Sequence, residues 1–173
     1  MNVLEQFQKI TCFVFDVDGV LTDGSVLLLE DGLQARRMNI KDGLALQMAL
    51  KNGYKVFVVS GGASQPVIHR MNYLGVEEIH LGVRDKLYFI EGICEQHKID
   101  WSEILFMGDD LPDLPLLKKV GLPACPADAA TEVKEIAHYI SGQKGGEGCV
   151  RDVIEKVLKL NDHWKYSTEI TSR

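Results

Sequence analysis

Asp16 and Asp18 stand two residues apart in Asp16-Val17-Asp18-Gly19-Val20-Leu21-Thr22, directly after the apolar run Thr11–Phe15. One carboxylate can attack an electrophile while the second, two positions on, hands a proton to the leaving group and takes one from water. More acids come late in the chain, in Gly108-Asp109-Asp110-Leu111-Pro112-Asp113, after Ile104–Met107. Between them lie a hydroxyl, in Ser60-Gly61-Gly62 after Lys55–Val59, and an ammonium, Lys86, in Arg84-Asp85-Lys86. Carboxylates cannot crowd together unassisted, since two unit charges about 4 Å apart repel by about 4 kcal/mol at an effective dielectric of 20. A divalent ion removes the conflict, and hard oxygen ligands select Mg²⁺. Metal and lysine together then attract a phosphate dianion. The set is complete for phosphoryl transfer.

These residues meet only if the fold brings them to one place. Thr11–Phe15, Lys55–Val59 and Ile104–Met107 are apolar on consecutive residues, as strands buried on both faces must be; Glu78–Leu81 and Gly121–Ala124 are weaker runs. Helical stripes separate them: Leu44, Leu46, Ala49 and Leu50 after Asp42 as N-cap; Val67, Met71 and Leu74; Leu87, Ile90, Ile93 and Cys94; and Val150, Val153, Ile154, Val157 and Leu158. Alternation of this kind predicts an α/β, Rossmann-like three-layer fold with a central parallel sheet. In such sheets ligands bind beyond the C-terminal strand ends, where the chemistry-bearing residues fall. A β-hairpin over about 24–39, with Asp31-Gly32 in its turn, interrupts the rhythm after the first strand. Residues from about 161 to 173 read as a polar tail.

The 173 residues carry 19 Lys+Arg against 25 Asp+Glu, a net charge of −6, and are 46% hydrophobic. That supports one globular domain over 1–173 and argues against a nucleic-acid binder, which needs a basic face. No apolar run approaches the length of a membrane span, and the first residues lack the features of a secretory signal. Cys12, Cys94, Cys125 and Cys149 are scattered, so neither disulfides nor a zinc site is expected, and a cytoplasmic location fits. The five histidines form no ligand-like cluster; Trp101 and Trp164 read as packing or tail anchors.

Asp16-x-Asp18-Gly-Val-Leu-Thr, Ser60, Lys86 and Gly-Asp109-Asp110-x-x-Asp113 resemble the four motifs of the haloacid dehalogenase superfamily of phosphatases, in that order. The resemblance implies that Asp16 is the nucleophile and Asp18 the general acid and base. It implies that Asp16, the Asp18 carbonyl and Asp109 hold Mg²⁺, with Asp110 in outer-shell support. Ser60 and Lys86 would contact the phosphoryl group, and Asp113 would hold Lys86, although Asp113 also suits a helix cap and Asp110 a solvated turn. Only 41 residues separate Asp18 from Ser60, and 25 separate Ser60 from Lys86, too few for the cap domain many relatives insert. A macromolecular substrate or a lid from another copy of the chain follows.

Within the superfamily the chain is similar to the capless, tetrameric phosphatases of 3-deoxy-D-manno-octulosonate 8-phosphate. Asn39-Ile40-Lys41-Asp42-Gly43 matches their substrate loop, Gly61 falls in the second motif, Arg70 matches a substrate-contacting arginine, and Gly145-Gly146-Glu147-Gly148 resembles their C-terminal glycine motif. A phosphorylated sugar acid as substrate and a homotetramer built on the hairpins are implied. Two departures stand out. Gly62 occupies a place where many of these enzymes carry arginine, and Glu147 replaces an arginine as in relatives acting on nine-carbon sugar-acid 9-phosphates. Outside the enzymes, a signalling receiver domain also combines acidic residues, Ser/Thr and Lys, but its acidic pair leads and its acceptor follows. A catalytically silent interaction module is the remaining alternative.

Overall fold

A computed structural model of the chain describes residues 2–165 and 170. Its centre is a six-stranded sheet in the order β5-β4-β1-β6-β7-β8, parallel at every pairing. The strands are β1 (Cys12–Phe15), β4 (Lys55–Ser60), β5 (Glu78–Leu81), β6 (Ile104–Met107), β7 (Leu122–Cys125) and β8 (Tyr139–Ile140). Around it lie α1 (Val3–Lys9), α2 (Ile40–Lys51), α3 (Gln65–Tyr73), α4 (Lys86–His97), α5 (Leu114–Leu117), α6 (Thr131–Ile136) and α7 (Cys149–Leu160). The α/β architecture with a parallel sheet is as the periodicity predicts.

Every residue of β1 is at most 1% exposed, because side chains alternate between two apolar layers. Phe13, Phe15, Val58 and Met107 face Leu46, Val67, Val153 and Val157, while Val14, Phe57, Val59 and Phe106 face Ile90, Leu116 and Val133. β1 pairs with β4 on one side and β6 on the other, so Phe15 lies level with both Val58 and Met107. The strand order reverses at β1, which opens a crevice beyond its C-terminal end. Asp16, Ser60 and Asp109 are thereby delivered to one edge of the sheet.

The hairpin is present but shorter than expected: β2 (Leu27–Leu28) and β3 (Gln34–Ala35) pair antiparallel over two residues each, and a bridge between Thr22 and Met38 closes its base. Gly32 takes the left-handed conformation of the turn (φ 82°), and Leu33 N–H donates to Asp31 Oδ1. Leu27, Leu28 and Leu33 are more than 60% exposed, an apolar surface left open among the described residues.

Helix α2 begins differently from the sequence reading. Asn39 is its N-cap, accepting from Lys41 N–H at 2.8 Å, and Asp42 sits inside the first turn, 2% exposed. Asp42 Oδ1 instead accepts from Arg151 N–H at 2.7 Å in the first turn of α7, where the helix dipole favours an anion. Burial pushes its carboxyl up to about 6 against the hydrogen bonds and charge that α7 contributes. A raised carboxyl pKa in the folded state means that stability is greatest below the unfolded value, near 4, and falls as pH rises through about 6. The Asp42→Asn variant keeps an acceptor for Arg151 N–H and lacks this penalty. Between pH 4 and 7 the wild type is expected to lose about 3 kcal/mol relative to the variant in urea titrations. Parallel pH profiles would contradict the assignment.

All four cysteines are free and buried. Trp101 and Trp164 pack, partly buried, against the two apolar layers. Of the tail, residues 161–165 follow α7, with His163 and Trp164 N–H groups returning to Leu158 O; 166–169 and 171–173 lie outside the described residues. Among the described residues no helix is long and apolar enough to cross a membrane.

Candidate active site

The segment after β1 turns back on itself through Asp16–Thr22. Thr22, fully buried, locks the turn: its Oγ1 accepts from Gly19 N–H at 3.2 Å and donates to Val17 O at 3.2 Å. Gly19 has φ 83°, and a Cβ there would lie 2.0 Å from Asp109 Oδ2. Only glycine lets the first acidic loop approach the second so closely. The glycine motif braces the same turn from behind, since Gly146 N–H donates to Val20 O and a Cβ on Gly145 would lie 2.0 Å from Gly19 O.

Asp16, Asp18, Ser60, Gly61, Lys86, Asp109, Asp110 and Asp113 all line one cavity of about 380 Å³. Lys86 opens α4 behind the N-cap Asp85, and its ammonium is buried against Asp16 Oδ1 at 2.9 Å and Asp113 Oδ1 at 2.6 Å. Asp113 Oδ2 accepts from the N–H groups of Asp109 and Asp110, at 3.0 and 3.4 Å. Asp113 thus contacts Lys86 and closes the Leu111–Asp113 turn from its end, but it makes no side-chain cap bond to the helix that follows it. Asp110 Oδ1 caps that turn as well, accepting from Leu111 N–H. Ser60, 3% exposed at the end of β4, accepts from Gly62 N–H through Oγ.

Carboxylate oxygens of Asp16, Asp109 and Asp113 lie within 4.8 Å of one another. Three carboxylates with one ammonium leave two negative charges uncompensated when all are ionised. That repulsion adds to the effect of burial on the carboxyl groups. Burial, with the charge of Asp113, pushes Asp16 up to about 6 although Lys86 pulls it down; burial and then Asp16, Asp113 and Asp110 push Asp109 up to about 7. Burial opposes the charge on Lys86, but Asp16 and Asp113 outweigh it and hold its pKa above the ordinary lysine value. Asp113 is committed to Lys86 and two backbone N–H groups, so Asp16 and Asp109 are the donors left for a cation. A doubly charged, oxygen-preferring ion fits both the charge deficit and the donor type.

Local spacing does not point to the residue that holds Asp18. Arg36, just past β3, donates through Nε to Asp18 Oδ1 at 2.6 Å and through Nη2 to Oδ2 at 3.5 Å. Asp18 is thus held by the hairpin, from across a loop that no local spacing predicts. A Cβ at Gly62 would come within 3.2 Å of Asp18 Oδ2, so a side chain there would crowd the same carboxylate. The residues of the expected substrate loop lie elsewhere in one copy of the chain. Asn39 and Ile40 line a separate hollow of about 340 Å³ with Arg37, Gly146 and Glu147; Lys41 is exposed, while Asp42 and Gly43 are buried. Arg70 lines a 770 Å³ groove between the hairpin and α3, and packs over Gly43.

Residues 78–154 match the haloacid dehalogenase-like hydrolase family. A curated relative, the 3-deoxy-D-manno-octulosonate 8-phosphate phosphatase KdsC of Escherichia coli (strain K12), is 31% identical over 157 residues, covering 91% of this chain and 84% of the relative. The chain belongs to the haloacid dehalogenase-like hydrolases, among the KdsC phosphatases. It is an enzyme that acts on a phosphate monoester, which sets the receiver and silent-module readings aside. Two solved KdsC-type structures share its fold. The Moraxella catarrhalis 3-deoxy-D-manno-octulosonate 8-phosphate phosphatase, in complex with magnesium, phosphate and KDO, is 31% identical with a TM-score of 0.90, covering 93% of each chain. The cobalt-bound Haemophilus influenzae enzyme is 28% identical with a TM-score of 0.86, covering 91% of this chain and 92% of that one. The phosphatases of this family depend on a metal, and the three-aspartate cluster is where this chain gathers donors for one.

Proposed function

We propose that this KdsC-family phosphatase hydrolyses 3-deoxy-D-manno-octulosonate 8-phosphate through an aspartyl-phosphate on Asp16, with Mg²⁺ as cofactor. The observation that carries the chemistry is the buried Asp16–Lys86–Asp113 chain with Asp109 beside it at the strand ends. The substrate rests on likeness to the octulosonate phosphatases over nearly the whole chain.

In the first step a carboxylate oxygen of Asp16 attacks phosphorus, the bond from phosphorus to the sugar oxygen breaks, and Asp18 delivers a proton to that oxygen. In the second, Asp18 takes a proton from water, the water oxygen attacks the same phosphorus, and Asp16 leaves as a free carboxylate with inorganic phosphate released. Lys86, fixed by Asp113, offsets charge on the phosphoryl oxygens, and Ser60 Oγ donates a hydrogen bond to one of them. Asp16, the Asp18 carbonyl and Asp109 would hold Mg²⁺, with Asp110 in outer-shell support, and the ion would supply positive charge against the phosphoryl group. Asn39, Ile40, Lys41 and Arg70 act on the sugar acid from a neighbouring copy, in a homotetramer assembled through the apolar hairpins.

Arg36 is a positioning residue for Asp18 in this reading. Arg36→Ala is expected to lower kcat roughly ten- to a hundredfold, with a smaller change in KM, because a charge-assisted pair that fixes one orientation is lost. Arg36→Lys restores part of the rate; equal kinetics for all three proteins would contradict the role.

A second reading, a nine-carbon sugar-acid 9-phosphate as substrate, is favoured by one observation. Glu147 stands in the glycine motif with its Oε1 4.0 Å from Arg37 Nη2. A phosphate-release screen over sugar-acid, hexose and nucleotide phosphates, with and without Mg²⁺, tests both. Highest kcat/KM on the octulosonate ester supports the first reading, highest on a nine-carbon ester the second, and highest on hexose phosphates or nucleotides contradicts both.

A further inference from the structure

Two cationic side chains line the reaction cavity, and they are not equivalent. Lys86 is 7% exposed at its floor and already paired with two carboxylates. Arg84 stands two residues earlier, exposed on the wall, and makes no ion pair or hydrogen bond with any other described residue. Its backbone position is fixed. Val83 N–H donates to Ser60 O and Gly82 N–H to Gly62 O, both at 3.0 Å, so the Arg84 segment is tied to the loop that ends β4. In that adjoining loop Gly61 and Gly62 offer no side chain to the cavity.

The charges of the cavity give this cation a task. A phosphate dianion and a leaving group bearing a carboxylate bring three negative charges to a wall that also carries Asp18 and Asp110. The floor can answer only the phosphoryl end, since Lys86 and the aspartate cluster surround Asp16. Asp18 already engages Arg36, and Arg37 lies 2.9 Å from Asp23. Two residues of chain span at most about 7 Å, so Arg84, rooted that close to Lys86 and lining the same cavity, has its guanidinium within reach of a group attached to the phosphoryl bound at the floor. A planar guanidinium is the side chain best suited to a carboxylate.

We infer that Arg84 is a specificity-determining residue that binds the carboxylate of the substrate's leaving group. The inference rests on the sugar-acid reading above and names the group of this chain that would recognise the acid. It is tested with the full-length chain, Mg²⁺ and two esters: the octulosonate 8-phosphate and a neutral hexose 6-phosphate. Arg84→Ala is expected to lower the ratio of kcat/KM for the acid ester over the neutral ester roughly ten- to a hundredfold, mainly through KM for the acid ester. Arg84→Lys recovers part of the ratio. Arg84→Glu lowers it further, and thermal melting of all three matches the wild type. An unchanged ratio, or the same loss on both esters, would overturn the role. A wild-type protein without preference for the acid ester overturns the substrate reading itself, whereas a wild-type preference that survives in Arg84→Ala overturns Arg84 alone.

Discussion

Replacing Asp16 with asparagine is expected to lower phosphate release by roughly 10⁴-fold or more, with the fold intact. Asparagine has the shape of aspartate and lacks the anionic oxygen that would bond to phosphorus. Lys86 and Asp113 keep their 2.6 Å contact, so the floor of the cavity retains one ion pair. Stability moves the other way from activity. Burial pushes Asp16 up to about 6, so near neutral pH its ionised form is held at a cost to the folded state. The variant is therefore expected to melt at or above the wild-type temperature when no divalent ion is added. Steady-state phosphate release and thermal melting check the two halves. A variant with more than about 1% of wild-type turnover would contradict the assignment.

Removal of divalent ions is the second large effect. With Asp16, Asp109 and Asp113 gathered around a single ammonium, activity is expected to fall by roughly 10³-fold in chelator and to return on adding Mg²⁺. The same ion binds the folded state alone, so at about a hundred times its dissociation constant it raises stability by about 2.7 kcal/mol. Asp109→Asn removes one of the two carboxylates proposed to hold the ion. It is expected to need at least about tenfold more Mg²⁺ for half-maximal activity, and to show a smaller rise in melting temperature. Undiminished turnover in chelator, or identical Mg²⁺ titrations for the two proteins, would contradict a metal site at Asp16 and Asp109.

How far the sequence alone reaches is clearest at individual residues. β1, β4 and β6 are legible because a strand covered on both faces must be apolar at every position, as Phe13-Val14-Phe15 and Val56-Phe57-Val58-Val59 are. Once these strands are parallel, the placement of Asp16, Ser60 and Asp109 at one edge follows from register. Arg36 was not legible, because its pairing with Asp18 depends on how the hairpin folds back, and β2 and β3 are only two residues long. Arg84 was hidden for a similar reason: its place beside Gly62 comes from hydrogen bonds between two loops. Its position before an apolar stripe makes Asp42 read as a cap. Its actual partner, Arg151 N–H, lies 109 residues away on α7, so tertiary packing and not local preference decides where that carboxylate goes. α1, α6 and β8 carry too few apolar positions for periodicity to register; α1 buries only Phe7.

The central claim is that Asp16 itself receives the phosphoryl group, and trapping that adduct tests it most directly. The wild-type protein is mixed with excess sugar-acid ester and Mg²⁺, quenched in acid within the first turnovers, and its peptides are weighed by mass spectrometry. The account predicts one added phosphoryl group on the peptide spanning Asp16, lost in neutral hydroxylamine and missing from Asp16→Asn. A phosphoryl group on any other residue, or rapid phosphate release with every peptide at its unmodified mass at all quench times, would contradict it.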